Sequence, residues 1–145
     1  MNIRKANPED VSKIAEINRA LHLDIPDFVW TDLEFIKKQV ERGEYFVGEE
    51  NGTAVGAMSL RERNRMLYIE TLAVAKDIQS RGVGSKLVDF AKQFAKDSGF
   101  ETLRTTSFYK YEVKDFWTKR GFGLLPEPGE YGGHKFYRFE LKLND

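Results

Sequence analysis

A short glycine-containing segment, Gln79-Ser80-Arg81-Gly82-Val83-Gly84, has the residue types that most directly predict chemistry. It lies between an apolar stretch at 66–75 and an amphipathic stretch at 85–98. Glycine has no side chain, so the backbone at Gly82 and Gly84 can turn tightly and approach a ligand closely. If a helix begins here, the unpaired N–H groups of its first turn and its dipole favour a bound phosphate. The segment therefore predicts a site for a phosphate-bearing ligand.

The two common nucleotide-binding motifs do not fit this segment. A P-loop requires Gly-Lys followed by Ser or Thr, whereas the order here is Gly84-Ser85-Lys86. A dinucleotide-binding loop requires a third glycine, and Leu87 occupies that position. A glycine turn that only joins a strand to a helix therefore stays open as an alternative.

The elements that must position this loop follow from apolar periodicity and capping signals. The predicted strands occupy residues 3–6, 45–49, 54–60, 66–75, 102–107 and 135–143, and the predicted helices occupy residues 8–21, 31–41, 85–98 and 113–120. Asn51-Gly52 predicts a tight hairpin, Thr31 with Glu34 predicts a capping box, and residues 61–65 predict a loop. A helix between the fourth and fifth strands implies a parallel crossover, so we expect a mixed α/β sheet with helices on its faces.

Length and charge limit the classes of function. A chain of 145 residues without a Pro/Gly/Ser-rich linker predicts a single domain, residues 1–145. The 23 basic and 23 acidic side chains cancel, so we expect no nucleic-acid partner and no binding to an anionic membrane. The absence of cysteine excludes disulfides, thiolate zinc sites and a cysteine nucleophile. No stretch is typical of a signal peptide or a membrane span, and we expect a cytoplasmic location.

Three segments in sequence resemble the GNAT superfamily of N-acetyltransferases. Gln79-x-x-Gly82-x-Gly84 resembles that family's (Arg/Gln)-x-x-Gly-x-(Gly/Ala) signature, residues 67–74 look like its central strand, and residues 116–122 resemble its Phe-Tyr-x-Lys-x-Gly-Phe segment. The resemblance covers essentially the whole chain in element order. It implies one α/β (α+β) domain with a mixed, mostly antiparallel, twisted sheet of about 6–7 strands flanked by helices.

The resemblance also implies acetyl-CoA as cosubstrate. Backbone N–H groups of the glycine loop would hold the pyrophosphate, and the strand before it would pair with the pantetheine arm like an added strand. The amide of Leu72 would face the thioester carbonyl. The implied cofactor-binding residues are Leu72, Ala73, Val74, Gln79, Ser80, Arg81, Gly82, Val83, Gly84 and Ser85.

The acid–base groups match the family pattern only in part. Glu70 is the candidate base, because some family members carry Glu there. In a regular strand it would share a face with Leu72, but the resemblance implies a bulge in this strand, which would alter that alignment and open a slot for the pantetheine arm. Solvent exposure or an ion pair with arginine is the alternative role for Glu70. Where many members have a Tyr acid, this chain has Trp117, which cannot act as an acid at neutral pH, so we expect Trp117 to pack in the core. Lys110 replaces the family's common Asn.

For the acceptor we expect a primary amine that attacks acetyl-CoA directly in a ternary complex. It could be a small molecule, a peptide or a protein amine. The resemblance implies an acceptor site that borders residues 21–30 and 124–134, where Asp24, Asp27, Asp32 and Glu70 could attract a cationic amine. His22 and His134 are isolated, so we predict no metal. The alternatives are a non-catalytic acyl-CoA sensor and a plain interaction domain. Strand 135–143, if it lies at a sheet edge, would allow a homodimer.

Overall fold

The computed structural model describes residues 1–78 and 81–143, which form one eight-stranded sheet with helices on both faces. The strand order is β1-β2-β3-β4-β5-β8-β6, and β7 also pairs with β8. The strands are β1 (Asn2–Lys5), β2 (Tyr45–Glu50), β3 (Thr53–Arg63), β4 (Met66–Val74), β5 (Thr102–Phe108), β6 (Gly123–Leu124), β7 (Gly129–Tyr131) and β8 (His134–Lys142). The helices are α1 (Val11–Ile17), α2 (Leu33–Glu41), α3 (Val83–Asp97) and α4 (Lys114–Lys119). The mixed, mostly antiparallel α/β fold is confirmed.

Two tight hairpins build the centre of the sheet. Asn51 and Gly52 have φ of 52° and 78°, so the predicted turn between β2 and β3 is confirmed. The predicted loop at 61–65 is wrong, because β3 continues to Arg63 and pairs with β4 there. Asn64 and Arg65, with φ of 51° and 66°, make the turn instead. The sequence did not predict this extension, because charged residues such as those at 61–63 occur at the exposed end of a strand as well as in a loop.

The helix boundaries depend on side-chain caps. The Asn7 side chain accepts from Glu9 N, and the Asn7 N–H donates to Asp10 Oδ2 over 2.7 Å. The predicted Thr31–Glu34 capping box is wrong: the Asp32 carboxylate, and not Thr31, accepts from Phe35 N, so the cap lies one residue later than predicted and α2 begins at Leu33. Both residues are good N-caps, so the sequence alone does not choose between them.

Helix α3 covers one face of the sheet, and helices α1 and α2 cover the other. Buried side chains on the α3 face include Leu87, Val88, Ile69 and Leu103. A Cβ at Gly56 of β3 would lie 2.9 Å from the side chains of Val83 and Leu87, so glycine permits this close approach of α3. The β4–α3–β5 crossover is parallel, with Leu67 opposite Leu103, as predicted. Among the described residues, no helix is both long and apolar enough to cross a bilayer.

The C-terminal part of the sheet differs from the prediction. Strand β8 pairs with β5 on one side and with β6 and β7 on the other, so it is not an edge strand. A homodimer that pairs through β8 as an edge strand is therefore no longer expected. Strands β6 and β7 were missed because they have two and three residues, too few for a readable alternation.

Candidate active site

Strands β4 and β5 separate in the middle of the sheet and open a cavity. Their parallel pairing ends at Ile69 opposite Thr105, where Thr105 Oγ1 donates to the Ile69 carbonyl over 2.9 Å. Beyond that point, the described residues supply no strand partner on the β5 side of residues 70–73. The resulting cavity has a volume of about 850 Å³ and extends from the first turn of α3 to the segment before α2.

A β-bulge lies at this separation. Ser59 pairs with Thr71 and Leu60 with Ile69, which leaves Glu70 as the extra residue of β4. Because of the bulge, Ile69 and Leu72 both pack on the α3 face, whereas Glu70 accepts a hydrogen bond from Gln39 of α2. A regular strand would place Glu70 and Leu72 on one face, and the extra residue removes that alignment.

One end of the cavity, the helix end, is built by the glycine loop. Gly82, Val83, Gly84 and Ser85 all line the cavity. Gly82 is the N-cap of α3, with φ of 82°, a left-handed conformation that favours glycine. Among the described residues other than its chain neighbours, no heavy atom lies within 4 Å of a Cβ built at Gly82, so these residues leave the space above the helix's first turn open. This space, with the unpaired N–H groups of the first turn, fits a diphosphate.

The sequence analysis missed Arg120, which lies at the helix end. Its Nε donates to Ser85 Oγ over 2.9 Å, and its guanidinium carbon lies 4.5 Å from the centre of the Phe116 ring. The Lys92 ammonium donates to the Arg120 carbonyl. These contacts hold a permanent positive charge beside the first turn of α3. The only sequence signal was a basic residue directly before Gly121 in the segment 116–122.

Only some of the other residues predicted to bind the cofactor line the cavity. Leu72, Ala73 and Val74 line the cavity. Arg81 is exposed and lies instead beside a separate depression of about 590 Å³ next to the β2–β3 turn. Gln79 and Ser80 lie outside the described residues.

Glu70 reaches the cavity as part of an ionic cluster. Gln39 Nε2 donates to one carboxylate oxygen over 2.8 Å, and Arg61 and Arg63 donate to the other over 3.3 and 3.1 Å. The carboxylate therefore balances part of the charge of two guanidinium groups. Of the four acidic residues considered for attracting an amine, Glu70 lines the cavity, and Asp32 is the cap of α2.

Two tyrosines near the cavity, Tyr109 and Tyr111, make contacts within the protein. The Tyr111 hydroxyl donates to the Leu21 carbonyl over 2.6 Å, and burial raises the pKa of Tyr111. Tyr109 packs on Tyr137, with 4.2 Å between ring centres. The Tyr111 hydroxyl is therefore engaged by a carbonyl, and Tyr109 is not among the residues that line the cavity.

Trp117 is a core residue that also borders the cavity. It is 4% exposed and contacts the rings of Phe116, Phe122 and Phe139. We expect Trp117→Ala to lower the free energy of unfolding by about 3–5 kcal/mol, because it deletes a large buried ring. Urea denaturation would measure the loss. Trp117→Phe keeps most of the packing and should lose less than half as much; an equal loss would contradict this role.

Aromatic side chains line the opposite end of the cavity, the loop end, which comprises Leu21, His22, Trp30, Glu70, Lys110 and Tyr111. The ring of Phe28 lies 5.2 Å from His22 and 5.6 Å from Trp30. Phe108 lies 6.3 Å from Trp30 and 5.7 Å from Tyr111. These rings form a continuous apolar wall. In residues 1–78 and 81–143, no group of three or more His, Asp or Glu side chains could hold a metal ion.

Known proteins match this chain in sequence, and they include the following two. The first is tRNA(Met) cytidine acetyltransferase TmcA of Aeropyrum pernix, 41% identical over 54 residues, which are 37% of this chain and 7% of TmcA. This chain therefore matches only a small part of that protein's length. The second is the uncharacterized N-acetyltransferase YhfO of Bacillus subtilis, 25% identical over 134 residues, or 84% of this chain and 89% of YhfO.

Solved structures share the fold. Ard1 of Thermoplasma volcanium superposes with a TM-score of 0.83 at 19% identity, covering 99% of this chain and 98% of Ard1. YncA of Salmonella typhimurium, whose structure contains its cofactor acetyl-CoA, gives a TM-score of 0.81 at 21% identity, covering 100% and 95%. The model of the acetyltransferase (GNAT) family matches residues 13–122. Because the family model matches most of its length, the chain belongs to the acetyltransferase (GNAT) family.

Proposed function

We propose that this protein is an N-acetyltransferase that moves the acetyl group of acetyl-CoA to a primary amine. The observation that carries the proposal is the separation of β4 from β5 beyond Ile69, which leads directly to the first turn of α3. A long, narrow ligand with a diphosphate at one end suits a cavity with this shape. The structure of YncA with acetyl-CoA supports the choice of cosubstrate.

Binding would use both parts of the cavity. The first-turn N–H groups of α3 and the Arg120 guanidinium would hold the diphosphate of acetyl-CoA. The pantetheine arm would lie along residues 72–74 of β4, in the place of a strand partner. The thioester would then lie near the bulge, where the Leu72 amide would stabilise the oxyanion of a tetrahedral intermediate.

Transfer requires a neutral amine. An alkylammonium with a pKa near 10.4 is mostly protonated near neutral pH, so a base must remove a proton as the nitrogen attacks the carbonyl carbon. We assign that role to Glu70, the carboxylate that lines the cavity at the bulge. Collapse of the intermediate breaks the C–S bond. The thiolate of coenzyme A can leave without an acid, since thiols have a pKa near 8.5.

A non-catalytic sensor of acyl-CoA is the second candidate function. Two observations favour it: the core packing of Trp117 at the position of the family's common tyrosine, and the ion pairs that occupy the Glu70 carboxylate. This candidate predicts binding of acetyl-CoA without turnover.

Thermal unfolding with acetyl-CoA, and with ATP and NAD as controls, tests the proposal. A ligand at 100 times its Kd stabilises a protein by about 2.7 kcal/mol, which raises Tm by several degrees for a domain of this size. A shift with acetyl-CoA alone, followed by thiol release with an amine panel, would support the enzyme. A shift without turnover on any amine would favour the sensor, and no shift at millimolar acetyl-CoA would refute both.

A further inference from the structure

We propose that the acceptor is a free α-amino acid with an apolar or aromatic side chain, and that Lys110 binds its carboxylate. This inference rests on the proposed N-acetyltransferase function and concerns the loop end of the cavity. Three features of the loop end support it: its charge, its aromatic wall and its closure toward the C-terminal strands.

The charge of the loop end favours an anionic group. Glu70 is offset by Arg61 and Arg63, while Lys110 lines the cavity and has no hydrogen bond or ion pair within the part of the chain that the structure describes. Arg61, Arg63 and Lys110 together outnumber the Glu70 carboxylate, and Asp24 and Asp27 do not line the cavity. An acceptor with several cationic groups, such as a polyamine, would therefore be repelled. A carboxylate would pair with the Lys110 ammonium.

Lys110 is held at the loop end by its neighbour. Lys110 belongs to the 3₁₀ turn Tyr109–Tyr111, which follows directly on β5. The Tyr111 hydroxyl joins this turn to the Leu21 carbonyl over 2.6 Å. The backbone at Lys110 therefore has a fixed position opposite the segment before α2, and the flexible ammonium can reach a carboxylate in the cavity.

The aromatic wall favours an apolar substituent on the acceptor. Trp30 and Tyr111 line the cavity, and Phe108, which lies behind them, is 8% exposed. Burial of an apolar side chain against these rings adds binding energy in proportion to the area removed from water. A small hydrophilic amine would not remove that apolar surface from water and would gain no such binding energy.

Closure of the loop end favours a free amino acid over a polypeptide. A Cβ at Gly132, in the β7–β8 turn, would lie 2.7 Å from Ile25 Cγ2, so this turn and the segment before α2 are in contact. The His134 and Trp30 rings both lie near Phe108, at 6.2 and 6.3 Å between centres, and join the same two segments. On the proposed binding mode, an extended peptide that entered from the loop end would have to pass these two joined segments, whereas a free amino acid would not.

Paired acceptors test the carboxylate. Acetyl transfer would be measured for L-phenylalanine against phenethylamine, L-leucine against isoamylamine and L-tryptophan against tryptamine, each pair differing only in the carboxylate. Wild type should prefer the amino acids in kcat/KM. Lys110→Met should lower kcat/KM for the amino acids about 10- to 100-fold, mainly through KM, since it removes a charged hydrogen bond. For the decarboxylated amines, kcat/KM of Lys110→Met should stay within about threefold of wild type, and the Kd of acetyl-CoA should not change.

Lys114→Met is the matched control. Lys114 is also exposed and lies 5.4 Å from the Tyr137 ring centre, but it does not line the cavity. Lys114→Met should leave kcat/KM unchanged for both members of each substrate pair. Equal losses for amino acids and amines in Lys110→Met, a weaker Kd for acetyl-CoA, or a wild type that prefers polyamines or peptides would each overturn the inference. Failure to bind acetyl-CoA would instead refute the proposed function itself.

Discussion

Replacing Gly82 with aspartate should lower the affinity for acetyl-CoA by at least about tenfold. The substitution places a carboxylate in the open space above the first turn of α3, where it would repel a diphosphate by about 1–4 kcal/mol. Aspartate tolerates the left-handed conformation at φ of 82° better than most residues, so the fold should survive. Isothermal titration with acetyl-CoA at two salt concentrations would measure the loss, which should shrink at higher salt.

Gly99→Asp provides the control for the backbone effect. Gly99 ends the same helix, has φ of 85° and also has open space at its Cβ, but it lies at the opposite end of α3 from the cavity. A negative charge opposes the dipole at a helix C-terminus and suits an N-terminus. Gly99→Asp should therefore be the less stable variant and yet bind acetyl-CoA normally. Equal affinity in both variants would show that the diphosphate lies elsewhere.

Glu70→Gln should lower kcat about a hundredfold or more, with little change in the Kd of acetyl-CoA, if Glu70 removes the proton from the amine. Glutamine keeps the size of the side chain and can still bond to Gln39, whose Nε2 lies 2.8 Å from Glu70 Oε1. The change therefore removes charge and basicity with little effect on packing. Stopped-flow or steady-state thiol release, with an amine in excess, gives kcat.

The double variant Arg61→Gln/Arg63→Gln separates catalysis from ion pairing. Both arginines are partly exposed, at 33% and 55%, and exposed ion pairs contribute about 0–1 kcal/mol. We expect the double variant to keep kcat within about threefold. If it reproduces the loss seen in Glu70→Gln, the carboxylate acts by holding the arginines and the bulge, and the base is another group. Full activity in Glu70→Gln would also exclude it as the base.

Local signals in the sequence predicted the scaffold well. Asn51-Gly52 can form a turn with two positive φ angles that few other pairs adopt, and the structure has that turn. The apolar stripe of α3 predicted its buried face, because helical periodicity holds wherever one face is covered; Leu87, Ala91 and Ala95, all from that stripe, are fully buried. Where two neighbours compete, as Thr31 and Asp32 do for the cap of α2, local rules could not choose.

The register of the bulge and the arginines that pair with Glu70 could not be predicted in this way, although the resemblance implies a bulge in this strand and an arginine partner was one alternative for Glu70. An extra residue in β4 is visible only against the register of β3, where Ser59 pairs with Thr71 and Leu60 with Ile69. Arg61 and Arg63 reach Glu70 because β3 continues through residues predicted to be a loop. Each feature depends on strand pairing, which is a property of two segments together.

The sequence by itself determined the order of elements and the position of the glycine loop, because turns, caps and periodic apolar residues act over a few neighbours. The tertiary structure decided which groups meet in the cavity. Arg120 reaches Ser85, and Tyr111 reaches Leu21, across 35 and 90 residues of chain. Such contacts arise when helices and loops pack on a common sheet, and no local pattern encodes them.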